Sequence, residues 1–127
     1  MNQTRAIDYV GHMLEAVRLA SSYVDDMDKD GFLADRRTQQ AVILNIVIVG
    51  EAAGKLAHMH PALLERYPEV PCKSVRGMRN RMAHGYFDID LSIVWQTVQL
   101  SFPVLAGHLA VIEQDLAGKQ PGTPGAG

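Results

Sequence analysis

The sequence predicts an all-α fold, an up-and-down bundle of four main helices plus one short helix. Three observations lead there. Apolar residues recur at intervals of three and four near both ends of the chain. The single β-branched run in the middle has no second strand candidate to pair with. Asp-Gly, Pro and Gly punctuate the chain where helices would have to turn.

Ile7, Val10, Leu14, Val17, Ser21 and Val24 fall on one stripe of a helix running from about Thr4 to Asp26. Met27 to Gly31, ending in Asp-Gly, reads as the loop that follows. The segment from Asp35 through His58 contains Val42-Ile43-Leu44-Asn45-Ile46-Val47-Ile48-Val49, whose β-branched residues favour a strand. Helix is the better reading, because the run continues without a turn signal into Gly50-Glu51-Ala52-Ala53-Gly54-Lys55-Leu56-Ala57. Gly50 and Gly54, four apart, would share a face and admit another backbone. Pro61 to Tyr67 reads as a short helix started by one Pro and stopped by Pro68. A further helix is expected from about Lys73 to Gly85. Asp90 is placed to cap a long last helix carrying Val94, Val98, Phe102, Leu105, Leu109, Ile112 and Leu116, kinked by Pro103. These elements make one domain over residues 1–117. Residues 118–127 form a Gly/Pro-rich tail with nothing to bury, expected to be disordered.

A chain of 127 residues holds one core. Its 47% hydrophobic and 20% charged residues suit a soluble globular protein. The longest apolar stretch, Ala41 to Val49, is shorter than a membrane span. The amino terminus has no basic stretch leading into an apolar one, so no secretory signal is expected and the cytoplasm is the expected location. The single cysteine, Cys72, agrees with that and cannot form an internal disulfide. A net charge of -2 argues against a protein that coats nucleic acid by bulk charge. Between Pro71 and Gly85, however, stand Lys73, Arg76, Arg79 and Arg81 without one carboxylate, a third of the twelve Lys and Arg in one short segment. A polyanion would be drawn there first.

Two metal-like patterns carry less weight. Asp26, Asp28, Asp30 and Gly31 resemble the opening of an EF-hand calcium loop, but the twelfth position, which should be a bidentate Glu, is Arg37. His58 and His60 are two apart, so on a continuous helix they point to different sides, with no third ligand nearby. His12 and His108 lie on amphipathic helices. No metal and no cofactor are expected.

The string Arg76-Gly77-Met78-Arg79-Asn80-Arg81-Met82-Ala83-His84-Gly85-Tyr86 carries the chemistry. By itself it can be a capped helix end, where Arg, His and a following Gly satisfy the last carbonyls. Its company points further: an imidazole, several guanidiniums, an amide and a phenol gather without a neutralising carboxylate. That set suits metal-independent phosphodiester cleavage, in which the ribose 2′-hydroxyl attacks its own phosphate. The reaction needs a base, an acid and positive charge over the phosphorane. His84 can be base or acid, Arg79 can clamp two phosphate oxygens, and Asn80 can orient the His or the substrate. Lys73, Arg76 and Arg81 are candidates for binding RNA. Glu51, interrupting an apolar helix, is a candidate partner that fixes Arg79, or else a solvated surface residue. One His cannot stand on both sides of a phosphate, so the site is expected at a two-fold homodimer interface.

The chain resembles the HEPN family (higher eukaryotes and prokaryotes nucleotide-binding domains) and, within it, the HepT-like toxins. The family signature is Arg followed by a polar residue, then His after a short spacer, with Tyr two past the His in the HepT branch. Arg79, Asn80, His84 and Tyr86 match in order and spacing. The resemblance takes in Val49-Gly50-Glu51-Ala52 and Val94-Trp95 as well, spanning most of residues 5–115; Lys73 departs from an aromatic residue found in many relatives. The resemblance implies a helical homodimer, metal-independent endoribonuclease activity on cellular RNA, and an antitoxin partner of the minimal nucleotidyltransferase type. That partner would transfer AMP to Tyr86, putting a bulky anion in the cleft beside Arg79. Without the partner's chemistry, Tyr86 reads as a core-edge aromatic. Two other functions compete: a non-catalytic module that binds a nucleotide or substrate for a nucleotidyltransferase, and a purely structural helical dimer.

Overall fold

The computed structural model describes residues 5–118. The expected tail from residue 119 onward lies outside them. Among the described residues all regular structure is helical, and the fold is the expected all-α bundle. Four long rods carry it, with two short helices instead of the one expected.

Helix α1 spans Ala6–Tyr23 and buries Val10, Leu14 and Val17 of the stripe read from the sequence, together with Met13 and Ala20, while Ile7 and Ser21 of that stripe are half-buried. The expected loop after it contains a turn of helix, α2 (Lys29–Leu33). The Asp28 carboxylate accepts from the Gly31 N–H at 2.8 Å and so caps this turn. That use of Asp28, and the fully buried Phe32 set against Trp95 with ring centroids 5.5 Å apart, explain why an acidic, Gly-containing stretch folds into helix. Gly31 needs no left-handed backbone here.

Helix α3 (Arg36–Met59) is the central rod. Asp35 caps it, accepting from the Thr38 N–H at 3.1 Å and the Thr38 hydroxyl at 2.9 Å. Its β-branched run is helical because α1 packs along one side and α5 along another, burying Val42, Ile46, Val49, Ala53 and Leu56, while Leu44 and Ile48 stay exposed. Buried Asn45 satisfies its amide on the Ala41 carbonyl at 2.9 Å. By length and composition α3 could cross a membrane, yet half of its most apolar window is packed inside the bundle.

Helix α4 (Pro61–Arg66) follows Pro at its first position, and Tyr67 beyond it donates to Asp115 Oδ2 at 2.6 Å, tying this corner to the last helix. That bond raises the Tyr67 phenol above its ordinary value, since it favours the protonated oxygen. Helix α5 spans Cys72–His84, followed by a single 3-10 turn, Tyr86–Asp88. Asp90 caps α6 (Leu91–Gln96), accepting from the N–H groups of Ser92 and Ile93. Pro103 was expected to kink the last helix. The rod meets it with a widened π turn, Thr97–Ser101, before resuming as α7 (Phe102–Gly118). Proline lacks an N–H and crowds the preceding turn, and the wider turn absorbs both effects.

Candidate active site

The site begins with a glycine. Helix α5 crosses α3 at Gly50, where a β-carbon would overlap Cβ of Arg79, lie 2.7 Å from its Cγ and 3.2 Å from the Val75 carbonyl. Only hydrogen fits, so the two backbones meet at van der Waals distance and the root of the Arg79 side chain is wedged against α3. Gly54 contributes less, since a β-carbon there would only touch Arg76 Nε at 4.0 Å.

The far end of Arg79 is fixed too. Its Nη2 donates to Glu51 Oε1 at 3.0 Å and its Nη1 to Asn80 Oδ1 at 3.2 Å, while its Nε is buried without a hydrogen-bond partner. Glu51 is the more exposed member of the pair, with side-chain exposures of 30% for Arg79 and 53% for Glu51. A guanidinium has five N–H donors. Two are engaged here, so the head still offers donors toward solvent.

Arg79 and Asn80 line an open cleft of about 320 Å³ between α3 and α5, together with Arg76, Glu51, Lys55 and His58. The structure divides the basic segment around this cleft. Arg76 and Arg79 face it. Arg81 lines a separate groove on the other side of α5, beside Asp88 and Asp90. Lys73 is exposed and shares a stripe with Gly77, Asn80 and His84, spaced four, three and four along the helix. His84 closes α5 as an exposed residue and is not among the cleft's lining groups. Arg79 and His84 are therefore neighbours along the helix but look in different directions. Gly85 ends α5, its N–H donating to the Arg81 carbonyl at 2.9 Å with φ of -119°, so it serves by its lack of a side chain near that oxygen, not by a left-handed turn. Tyr86 opens the 3-10 turn two residues after His84; its side chain lies outside the described residues.

Lys55 and His58 are the cleft residues that the sequence reading passed over. The signal was present, since Glu51, Lys55 and His58 stand at i, i+4 and i+7 beside the paired glycines. In the sequence His58 stands out only as a metal ligand paired with His60, and His60 instead approaches the Tyr9 ring. Among the described residues no three His, Cys, Asp or Glu side chains gather around a common point for a metal ion. Cys72, at the start of α5, is half-buried; burial pushes its thiol up, with Arg76 opposing, so it stays protonated and a weak nucleophile near neutral pH.

The fold and site define a helical bundle that wedges one arginine into an open cleft, with a histidine exposed at the end of the same helix. Comparison with known proteins narrows it. The family model described as Ribonuclease HepT-like matches residues 13–112, and the chain belongs to that family. It is 33% identical over 100 residues to "Probable ribonuclease HepT" of Thermococcus cleftensis, covering 79% of this chain and 88% of that one. It is 32% identical over 107 residues to "Putative RNase MJ0127" of Methanocaldococcus jannaschii, covering 84% and 86%. No solved structure shows a significant match.

Proposed function

We propose that this protein is a metal-independent endoribonuclease, the toxin of a toxin–antitoxin pair, acting as a homodimer through Arg79 and His84. The observation that carries the reading is Arg79 itself: a guanidinium held at its root by Gly50 and at its head by Glu51, with donors left over, in an open cleft. Such a group is positioned before substrate arrives, so little ordering is needed when charge develops on a phosphorane.

In the proposed reaction the 2′-hydroxyl of RNA attacks its own phosphorus. The 5′-oxygen leaves, giving a 2′,3′-cyclic phosphate and a 5′-hydroxyl end. One imidazole takes the 2′ proton, a second protonates the leaving oxygen, and Arg79 neutralises the phosphorane oxygens. Asn80 keeps the guanidinium turned to the substrate. A second copy of the chain supplies the second His84. The outward stripe of α5 suits such pairing: Gly77 leaves open space between Lys73 and Asn80, and apolar Phe87 and Ile93 are exposed, at 97% and 47%, beyond the His84 end of the helix. Lys73 and Arg81 would contact RNA outside the cleft.

Tyr86, two residues past His84, is the proposed control point. A partner nucleotidyltransferase would join AMP to its oxygen, adding a bulky anion beside the catalytic imidazole. The family resemblance supports this, as does the exposure of the helix end at which Tyr86 follows.

The test is RNA cleavage by purified protein in excess EDTA, alongside growth and RNA integrity in cells expressing wild type, His84→Ala or Tyr86→Phe without a partner gene. The proposal expects EDTA-resistant cleavage and growth arrest by wild type and Tyr86→Phe, both lost in His84→Ala. RNA left intact by all three overturns it in favour of a non-catalytic binding module. Loss of cleavage in EDTA overturns the metal-independent mechanism.

A further inference from the structure

We propose that Lys55 and His58 of α3 form, with Arg76 of α5, a second phosphate subsite that holds the RNA backbone beside the scissile phosphate; the inference rests on the nuclease reading of the same cleft. Lys55 and His58 line the cleft from α3 and Arg76 lines it from α5, its Nε lying over Gly54. The one carboxylate of the cleft, Glu51, is taken up by Arg79. Among the described residues neither Lys55 nor Arg76 has an ion-pair partner, so two positive charges line one open cleft without compensation. That arrangement is unfavourable alone and favourable around an anion.

The anion bound there is not the one that reacts. Arg76 precedes His84 by eight residues, about 12 Å along a helix axis, far more than one phosphate group spans. Measured from Arg79, which holds the reacting phosphate in the proposed mechanism, Arg76 is one turn back along α5 and Lys55 one turn on from Glu51 along α3, so a group between Arg76 and Lys55 lies one turn to the side of it. His58, one turn beyond Lys55, extends the track and offers an imidazole face and edge to a nucleotide. A run of cationic groups along a groove is the pattern by which proteins follow a single-stranded backbone. The cleft therefore selects for polymer: a dinucleotide reaches only the Arg79 end, whereas a longer strand gains the second contact.

The experiment compares wild type with the double variant Lys55→Gln/His58→Gln, both changes being at exposed positions and their folding checked by circular dichroism. Binding is followed by fluorescence anisotropy with a labelled 2′-O-methyl octanucleotide, which lacks the attacking hydroxyl, across a range of salt. Cleavage is followed with unmodified octanucleotide and dinucleotide. The expected result is octanucleotide binding weakened about tenfold, with the slope of log affinity against log salt shallower by about 1, as loss of one or two phosphate contacts on a single strand dictates. KM for the octanucleotide rises with kcat unchanged, and dinucleotide cleavage does not change. Unaltered octanucleotide binding, or an equal loss of dinucleotide cleavage, overturns the subsite. Competition by ATP as strong as that by the oligonucleotide overturns its selectivity for polymer. Salt-dependent binding that the double variant weakens, in a protein that cleaves nothing, would overturn the nuclease reading and leave the subsite standing.

Discussion

Arg79 and His84 stand five residues apart on one helix, yet the molecule treats them differently. Arg79 is wedged at its root against Gly50, bonded at its head to Glu51 and Asn80, and largely covered. His84 ends the helix in solvent, outside the cleft. On the mechanism proposed above, the charge that must be rigid is the one the fold fixes, and the proposed proton-transfer group is the one left exposed at the end of the helix. Removing each side chain should therefore have distinct signatures, and the contrast can be broken by a variant that shows the wrong one.

The largest effect is expected from His84→Ala. Losing a proton-transfer group lowers kcat by roughly a thousandfold, while thermal stability changes by no more than about 0.5 kcal/mol because the residue is exposed. Arg79→Lys should lose about a hundredfold, since an ammonium cannot reproduce the fork that grips two oxygens while bonding Glu51 and Asn80. Steady-state cleavage and chemical unfolding on the same preparations check both. A His84→Ala protein that melts much earlier than wild type would make this end structural and erase the contrast.

The same contrast explains what the sequence made legible. The helical rods were readable because their periodicity is long, and the Gly50/Gly54 pair foretold a close helix crossing. The Arg, Asn, His and Tyr of the motif stand out by the company they keep and by the family resemblance. Their directions could not be read that way. Which way Arg81 turns depends on the packing of α5 against α3, and it goes to a different groove from Arg76. Lys55 and His58 were missed for a similar reason: they lie more than fifteen residues from the motif, and only tertiary packing brings them beside it. Helix α2 was missed because the acidic turn's carboxylate caps a helix, a use that depends on Phe32 finding a buried seat against Trp95.

Gly50→Ala sharpens the comparison from the rigid side. Alanine is ordinarily the better helix former, but here its methyl meets Cβ and Cγ of Arg79 and the Val75 carbonyl, so α5 must shift outward. Overpacking of this kind destabilises by about 2 kcal/mol. Cleavage falls about tenfold as Arg79 is displaced with the helix that carries it. Urea unfolding and kcat measure the two losses. A variant as stable as wild type would mean that the close crossing does not hold Arg79.

Glu51→Gln tests the head of the same side chain. The pair is half-exposed, so stability changes by about 0.5 kcal/mol or less. The amide oxygen can still accept from Arg79, and cleavage falls only a few-fold, less at high salt, where the wild-type ion pair is itself screened. A rise in activity would show that Glu51 competes with the phosphate for the guanidinium instead of aiming it.

The smallest effect is expected at the opposite end of α3, and it serves as the control. Two bonds from Thr38, the backbone N–H first and the hydroxyl second, hold the Asp35 carboxyl below its ordinary value of 3.8. A depressed folded pKa means that the ionised cap stabilises the helix at pH above the unfolded value and loses this contribution as pH falls through the folded one. Asn at this position keeps an oxygen for the Thr38 N–H but carries no charge toward the helix N-terminus. Asp35→Asn should therefore unfold at slightly lower urea than wild type at pH 7, with the gap closing below about pH 3.8. Cleavage at neutral pH should not change, because the cap lies about fifteen residues, or four turns of α3, from Gly50. A fall in activity without unfolding would mean that the central helix transmits a change at its first turn to the arginine wedge, and that Arg79 is held by the whole rod and not by one glycine.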